Sequence, residues 1–343
     1  MHVSRLGYSA IIGASLLVAA GLRTEAAAQP VADSPRDRQI TFIVAFNPGG
    51  TYDLYARLAA AHLPRHLDGR PSIIVRNMQG ANGARGANFL AEQAARDGSV
   101  IGMVSQAIAL KKVLDDPSVR LDVSRLNWIG RISSAIEATV IWHSSATKTI
   151  EDATRRETVL AATGALGTPE TNPRLMNRFA GTRFKIIAGY PGTAATMLAM
   201  EKGEVEGAYA GLGTLLSHHS DWLRDKKITV LVQYSAVRHS AFSDVPAIVE
   251  FAQTAEERAV LELFASSAEI GLSIVAPPQV PEAALSTLRS AFNAMVSDGS
   301  FLTDARARQM EIEPLSGEIL QSRVLQLLKV SPEVAKKASA ARE

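Results

Sequence analysis

Apolar runs of four to seven residues alternate with amphipathic stretches along most of this chain, and that alternation is its main readable signal. Residues 40–46 are β-branched and aromatic, a length and composition that predict a buried strand. Asn47, Pro48, Gly49 and Gly50 then break the run. Proline removes a backbone donor, and glycine admits angles closed to other residues. Thr51 reads as the N-cap of a helix, with Asp53 in the first turn, where the helix dipole favours a carboxylate. Tyr55, Leu58, Ala59 and His62 recur at i, i+3, i+4 and i+7, the stripe of a helix lying on a sheet.

The same unit repeats. A strand over 72–76, a Gly/Asn-rich loop over 77–83 and a helix over 84–95 form a second copy, and Asp97 and Gly98 turn the chain into a strand over 100–105. A short helix over 107–114 follows. Strands over 127–132 and 138–142 read as the passage into a second lobe, and Thr149 as the cap of a helix reaching 157. Strands are then predicted over 159–162, 185–188, 205–210 and 228–234. Residues 163–172 form a Gly/Thr-rich loop, residues 189–192 a turn, and helices cover 173–180, 193–202 and the segment around Trp222. A helix over 255–265, an apolar strand over 269–276 and amphipathic helices from 281 onward complete the chain. Alternating β and α segments predict a parallel or mostly parallel sheet. A chain that starts in one α/β lobe, crosses to another and returns predicts two lobes about a hinge.

Composition narrows the class. The chain has 343 residues, enough for two domains, with 47% hydrophobic and 20% charged residues, as in globular proteins. The net charge is +2 and the basic residues are scattered, so no nucleic-acid partner is expected. Residues 1–28 read as a signal peptide: a basic start, a small apolar run shorter than the about 20 residues of a membrane span, and alanines at 26–28 for cleavage after Ala28. With no cysteine there is no disulfide and no cysteine-linked lipid anchor. A soluble exported protein follows, with the periplasm as its address.

The turn at 47–53 is the strongest candidate site. Free N–H groups at a helix start, beyond a strand's carboxyl end, can cradle an anion. A capped helix after a strand would explain Thr51 and Asp53 equally well. Gly80, Gly83 and Gly86 are spaced GxxGxxG rather than GxGxxG, and read as a tight turn with close helix–sheet packing rather than a dinucleotide fingerprint. Thr163, Gly164 and Thr168 sit in the second lobe's equivalent loop, which could hold a carboxylate or be a plain surface loop. Tyr190 and Gly192 form a rigid turn whose tyrosine could face the cleft or pack. His62 and His66 lie at i, i+4 without a nearby acid and read as solvated or edge positions. No catalytic motif is visible, and neither a cofactor nor a metal is expected.

At these residues the chain resembles the Bug-type receptors of tripartite tricarboxylate transporters. Pro48, Gly49, Gly50 and Asp53 with Ala56, Arg57 and Leu58 match the family's first segment. Val75, Asn77, Gly80, Ala81 and Gly83 match a second, and Asp97 with Gly98 a third. Tyr190 and Gly192 with Gly203 and Val205, then Asp244 to Pro246, then Ala276 and Pro277, follow in the family's order. The resemblance implies an α/β type II periplasmic-binding-protein fold, with two α/β lobes around a ligand cleft and a hinge. Its lobes would be 29–132 with 262–343, and 133–261. It implies capture of a small organic acid, with large and small membrane transporter subunits as partners and the receptor itself a monomer. Carried over, the first-lobe contacts are Phe46, Asn47, Gly49, Gly50, Thr51 and Asp53, with Ser105 and Gln106 at the third strand's end. Thr163, Gly164, Thr168, Tyr190, Gly192 and Tyr209 would contribute from the second lobe. The chain departs from the family at Asn47, in the loop at 163–170, at Glu206 where an aspartate is usual, and at Tyr209 and Ala210. An exported enzyme using Asp53 or Glu170 as a base, and a sensory binding protein, are the alternatives.

Overall fold

The computed structural model describes residues 39–163 and 167–342. The expected signal peptide and Gly164 lie outside the described residues. The strands in chain order are β1 (Gln39–Val44), β2 (Ser72–Asn77), β3 (Val100–Met103), β4 (Asn127–Arg131), β5 (Glu137–Trp142), β6 (Glu157–Ala161), β7 (Arg183–Ile187), β8 (Gly207–Gly211), β9 (Ile228–Gln233), β10 (Ser273–Ala276) and β11 (Leu315–Ser316). They form two sheets, ordered β11-β4-β10-β3-β1-β2 and β7-β6-β8-β5-β9. Both lobes belong to one compact unit.

The β/α segments that the pattern predicts do pair in parallel: β1 with β2 and β3, and β6 with β7 and β8. The sheets are nevertheless mixed. β10 runs antiparallel to β3 and β4, β11 antiparallel to β4, and β5 antiparallel to β8 and β9. The cause is the passage between lobes. β4 leaves the first sheet for β5 of the second, and β10 returns from the second, so the strands that enter each sheet from the other lobe, β5 and β10, run against the wound ones.

The two passages lie side by side. Ile132 N–H donates to Leu272 O at 3.0 Å, Leu272 N–H to Ser133 O at 2.9 Å, and Ala135 N–H to Ala268 O at 3.1 Å. Gly271 makes this approach possible. Its φ is +52°, and a Cβ there would stand 2.3 Å from Ser133 O. It also ends the helix Ala255–Ile270, which runs five residues beyond the predicted 265, so the strand expected from 269 begins at Ser273.

Elsewhere the differences are local. The helix expected over 173–180 starts at Thr168, because Gly167 caps it and Pro169 occupies its first turn, where a missing N–H costs nothing. Thr51 is the first helical residue of Thr51–His62 rather than the cap, a position Gly50 takes with extended backbone. His62 is buried, not solvated, and its Nε2 lies 3.0 Å from Asp304 Oδ2. The GxxGxxG segment packs closely, as expected: a Cβ on Gly86 would stand 3.0 Å from Ala45. The last helix, Pro332–Ala341, is buried through Ala338 and Ala341 among second-sheet residues such as Phe184 and Leu231. No helix among the described residues is long and apolar enough to cross a membrane.

Candidate functional site

Five loops meet between the sheets: those after β1 and β3 in one lobe, and those after β6, β7 and β8 in the other. They enclose a cavity of about 1010 Å³. Among the helices that start on its wall are Thr51–His62 from the first lobe and Thr168–Phe179 and Thr193–Glu201 from the second. Their N-cap glycines, Gly50, Gly167 and Gly192, all line it. A helix's first N–H groups have no acceptor within the helix, and its dipole puts partial positive charge there. Both lobes therefore present anion-seeking backbone to the same space.

The first of these turns is braced from behind. Gly49, at φ +78°, adopts a conformation that favours glycine, and its N–H donates to Asp53 Oδ2 at 2.8 Å. Arg57 Nε donates to the same oxygen at 2.9 Å, and Asn77 Nδ2 donates to Asp53 Oδ1 at 2.9 Å and to Phe46 O at 3.0 Å. Burial alone would raise the Asp53 carboxyl, but the bonds from Arg57, Gly49 and Asn77 outweigh it and hold the group below the usual carboxylate range. Asp53 is 2% exposed and does not line the cavity. The bonds from these three partners turn it toward the loop it supports, behind the wall rather than on it.

A polar wall faces that turn. The Tyr52 ring stacks on Phe46, centroids 4.1 Å apart, and its hydroxyl accepts Gln106 N–H at 3.1 Å. Burial pushes the Tyr52 phenol up. Glu137, the first residue of β5, lines the cavity beside them. Thr168 Oγ1 reaches Glu137 Oε1 at 3.5 Å and shares a 2.9 Å hydrogen bond with Tyr209 Oη. Burial pushes the Glu137 carboxyl up to about 8, against the opposing bonds from Thr168 and Gln106. The Gln106 Oε1 atom is buried with no hydrogen-bond partner among the described residues.

His239, Glu311 and Glu313 form one group close enough to share a cation. His239 Nδ1 accepts Ala241 N–H at 3.2 Å, which leaves the proton on Nε2, 3.0 Å from Glu311 Oε1. That proton occupies the lone pair a metal would need, so the group reads as a hydrogen-bonded pair between the segments after β9 and before β11.

Of the residues expected from sequence, Phe46, Asn47, Gly49, Gly50, Thr51, Ser105 and Gln106 line the cavity. Thr163, Thr168, Tyr190, Gly192 and Tyr209 line it from the other lobe. Glu170, offered above as a possible base, is not on the wall. Sequence reasoning misses Tyr52 and Glu137. The signal for Glu137 is there: a lone acid heads an otherwise apolar strand, where charge is rarely buried without purpose.

Known proteins share this architecture. The family model described as the tripartite tricarboxylate transporter family receptor, TctC, matches residues 55–325. A UPF0065 protein of Bordetella bronchiseptica is 26% identical over 266 residues, 76% of this chain and 74% of that protein. The structure of the periplasmic binding protein BugD superposes with a TM-score of 0.67 at 19% identity, covering 89% of this chain and 97% of that one. R. palustris Rpa4515 with adipate superposes with a TM-score of 0.66 at 22% identity, covering 88% and 97%. The matched segment runs from the helix behind the first turn, through both sheets, to the helices beyond the hinge, and the chain belongs to the tripartite tricarboxylate transporter receptor family.

Proposed function

We propose that this chain is a periplasmic solute-binding receptor that captures a small organic acid between its lobes and delivers it unchanged to the membrane subunits of a tripartite tricarboxylate-type transporter. The carrying observation is the convergence of helix N-termini from both lobes on one cavity. A carboxylate bridging them would favour closure about the paired passages at 132–135 and 268–272, and closure would make the docking surface. In this reading the contacts are the lining residues foreseen from sequence, joined by Tyr52 and Glu137. Adipate, present in the related Rpa4515 structure, is the natural first acid to try on this chain. Delivery without turnover is supported by the positions of the two acids that motivated an enzymatic alternative, since Asp53 and Glu170 are both off the cavity wall.

A thermal-shift panel of mono- and dicarboxylates, amino acids and aromatic acids tests the proposal. A ligand that binds only the native state raises Tm, by about 2.7 kcal/mol of stability at a hundredfold excess over Kd. At least one acid should raise Tm and be recovered intact. No shift across the panel, or conversion of the bound acid, would overturn it.

A further inference from the structure

Beside the joining strands at 132–135 and 268–272, a side-chain bond crosses from lobe to lobe on the cavity wall. His239 Nε2 donates to Glu311 Oε1 at 3.0 Å, and both residues line the cavity. Each end is fixed to its own lobe. His239 N–H donates to Gln233 Oε1 at 2.7 Å, and the Gln233 amide donates to Phe242 O and Val245 O at 3.0 and 2.7 Å. The loop after β9 is thereby pinned to the second sheet. On the other side Tyr55 Oη donates to Glu311 O at 2.9 Å and Glu313 N–H to Ile132 O at 3.0 Å, while Met310 and Ile312 pack on the first lobe's core. Two partners mounted on separate lobes cannot follow each other, so a rotation that opens the cleft stretches this bond. His239 is 7% exposed, and a bond shielded from water is worth more than one on an open surface.

We propose that the His239–Glu311 pair is a latch between the lobes, strongest when the imidazole is protonated, so that proton concentration sets how readily the cleft opens. The inference rests on the reading of the molecule as a hinged two-lobe receptor, and adds a control on the hinge that needs no ligand. In the neutral ring Nδ1 accepts Ala241 N–H at 3.2 Å while Nε2–H reaches Glu311. Protonation gives up the long Ala241 contact and turns the bond to Glu311 into a charge-assisted one, roughly twice as strong. The surroundings favour that exchange. Glu311 and Glu313 face the ring from the segment before β11. The Glu313 carboxylate also accepts from Ser134 Oγ in the passage between lobes, and its carbonyl accepts from Arg131. From the helix Thr51–His62 the neighbouring group is Tyr55, kept neutral because burial pushes its phenol up, and on the ring's own segment Arg238 is engaged by Glu250. The bond to Glu311 holds the imidazolium above its ordinary value, with burial opposing and Glu313 adding to it. The latched arrangement therefore binds the proton more tightly than an opened one. Its advantage is complete below the ordinary histidine value of about 6.5 and fades as pH rises through the raised one.

The chain has no cysteine, so two introduced ones carry spin labels without background. Ala61→Cys on the helix Thr51–His62 and Glu201→Cys at the end of the helix Thr193–Glu201 are exposed positions, one on each lobe. Double electron–electron resonance on the full mature chain, without ligand, gives the distance distribution between them at about pH 6 and about pH 9. With the pair intact, one narrow population should dominate at the lower pH and a second should grow at the higher, their ratio moving about fivefold or more. His239→Gln keeps an N–H donor and loses the titration, so its distribution should not change with pH. Glu311→Ala cuts the bond from the other lobe, leaves the Ala241 contact in place, and should show the second population at both pH values. The Tm of each variant confirms that it folds. A distribution that ignores pH with the pair intact, a pH response that persists in His239→Gln, or an unaltered distribution in Glu311→Ala at the lower pH would overturn the latch. The organic-acid reading is judged separately by the acid panel and survives any of these results.

Discussion

Asp53 shows how far a single side chain's role depends on where its oxygens point. In sequence it is the acid of a ligand-cradling turn. In the fold it accepts from Gly49, Arg57 and Asn77 and is shielded from the cavity. It is a positioning residue, and its removal should be felt twice. Asp53→Ala strips three charge-assisted bonds from a buried site and should cost about 2–3 kcal/mol of stability, read by denaturant unfolding. Binding of any acid identified by the panel should weaken as well, because the Gly49 amide loses its anchor. Unchanged stability would show that the network contributes nothing. Glu137 is the converse. Its charge at the head of an apolar strand is plain in the sequence, but its purpose becomes visible only when β5 is placed opposite the first-lobe turn.

At the scale of elements, the strand–turn–helix units are legible because their signals are local: a β-branched run, a glycine break, then a stripe of period 3.6. β1 and the helix Thr51–His62 follow that logic residue by residue. What escapes depends on distant partners. β11 is two residues long and exists because Leu315 and Ser316 pair with β4. The helix Ala255–Ile270 continues through residues that read as strand because Ala265, Ala268 and Ile270 are buried against the rest of the protein. The cavity wall is partly legible, since glycine turns announce themselves, whereas Tyr52 sits inside a helix pattern that gives no hint of facing a cleft.

One contact between elements yields a pH prediction. The hydrogen bond to Glu311 is the largest influence on His239 and raises its imidazolium above the ordinary value, with Glu313 adding to it and burial opposing it. The groups around the pair are Glu311, Glu313 and Tyr55, whose hydroxyl donates to Glu311 O. A raised folded-state value means that the native state holds the proton more tightly. The pair's stabilisation is therefore complete below the unfolded histidine value of about 6.5 and is lost as pH rises through the raised one. His239→Gln should flatten the fall in Tm over that window. An identical pH profile in the variant would deny the pair any part in stability.

At the scale of the whole molecule, both lobes present helix N-termini to one cavity. The paired passages join the lobes, and Gly271 keeps the strands that form them close together. The wound parallel strands of each lobe put their carboxyl ends toward the other lobe, which is why glycine turns far apart in sequence meet at one cavity. This arrangement also makes binding separable from folding. Thr51 is the first residue of its helix, where proline is tolerated, and Gly50 before it is already extended at φ −81° and ψ 169°, as a residue preceding proline must be. Thr51→Pro deletes one N–H donor at the cavity together with the Thr51 hydroxyl, and Thr51→Val, which removes the hydroxyl alone, is the control that isolates the backbone donor. The most direct measurement is the calorimetric affinity of Thr51→Pro, Thr51→Val and wild type for the acid that gives the largest thermal shift, alongside the unliganded Tm of each. Capture by backbone donors predicts for Thr51→Pro an unchanged Tm with affinity reduced about tenfold or more below that of Thr51→Val, the worth of a hydrogen bond to a charged group; equal affinity in the two variants would contradict it.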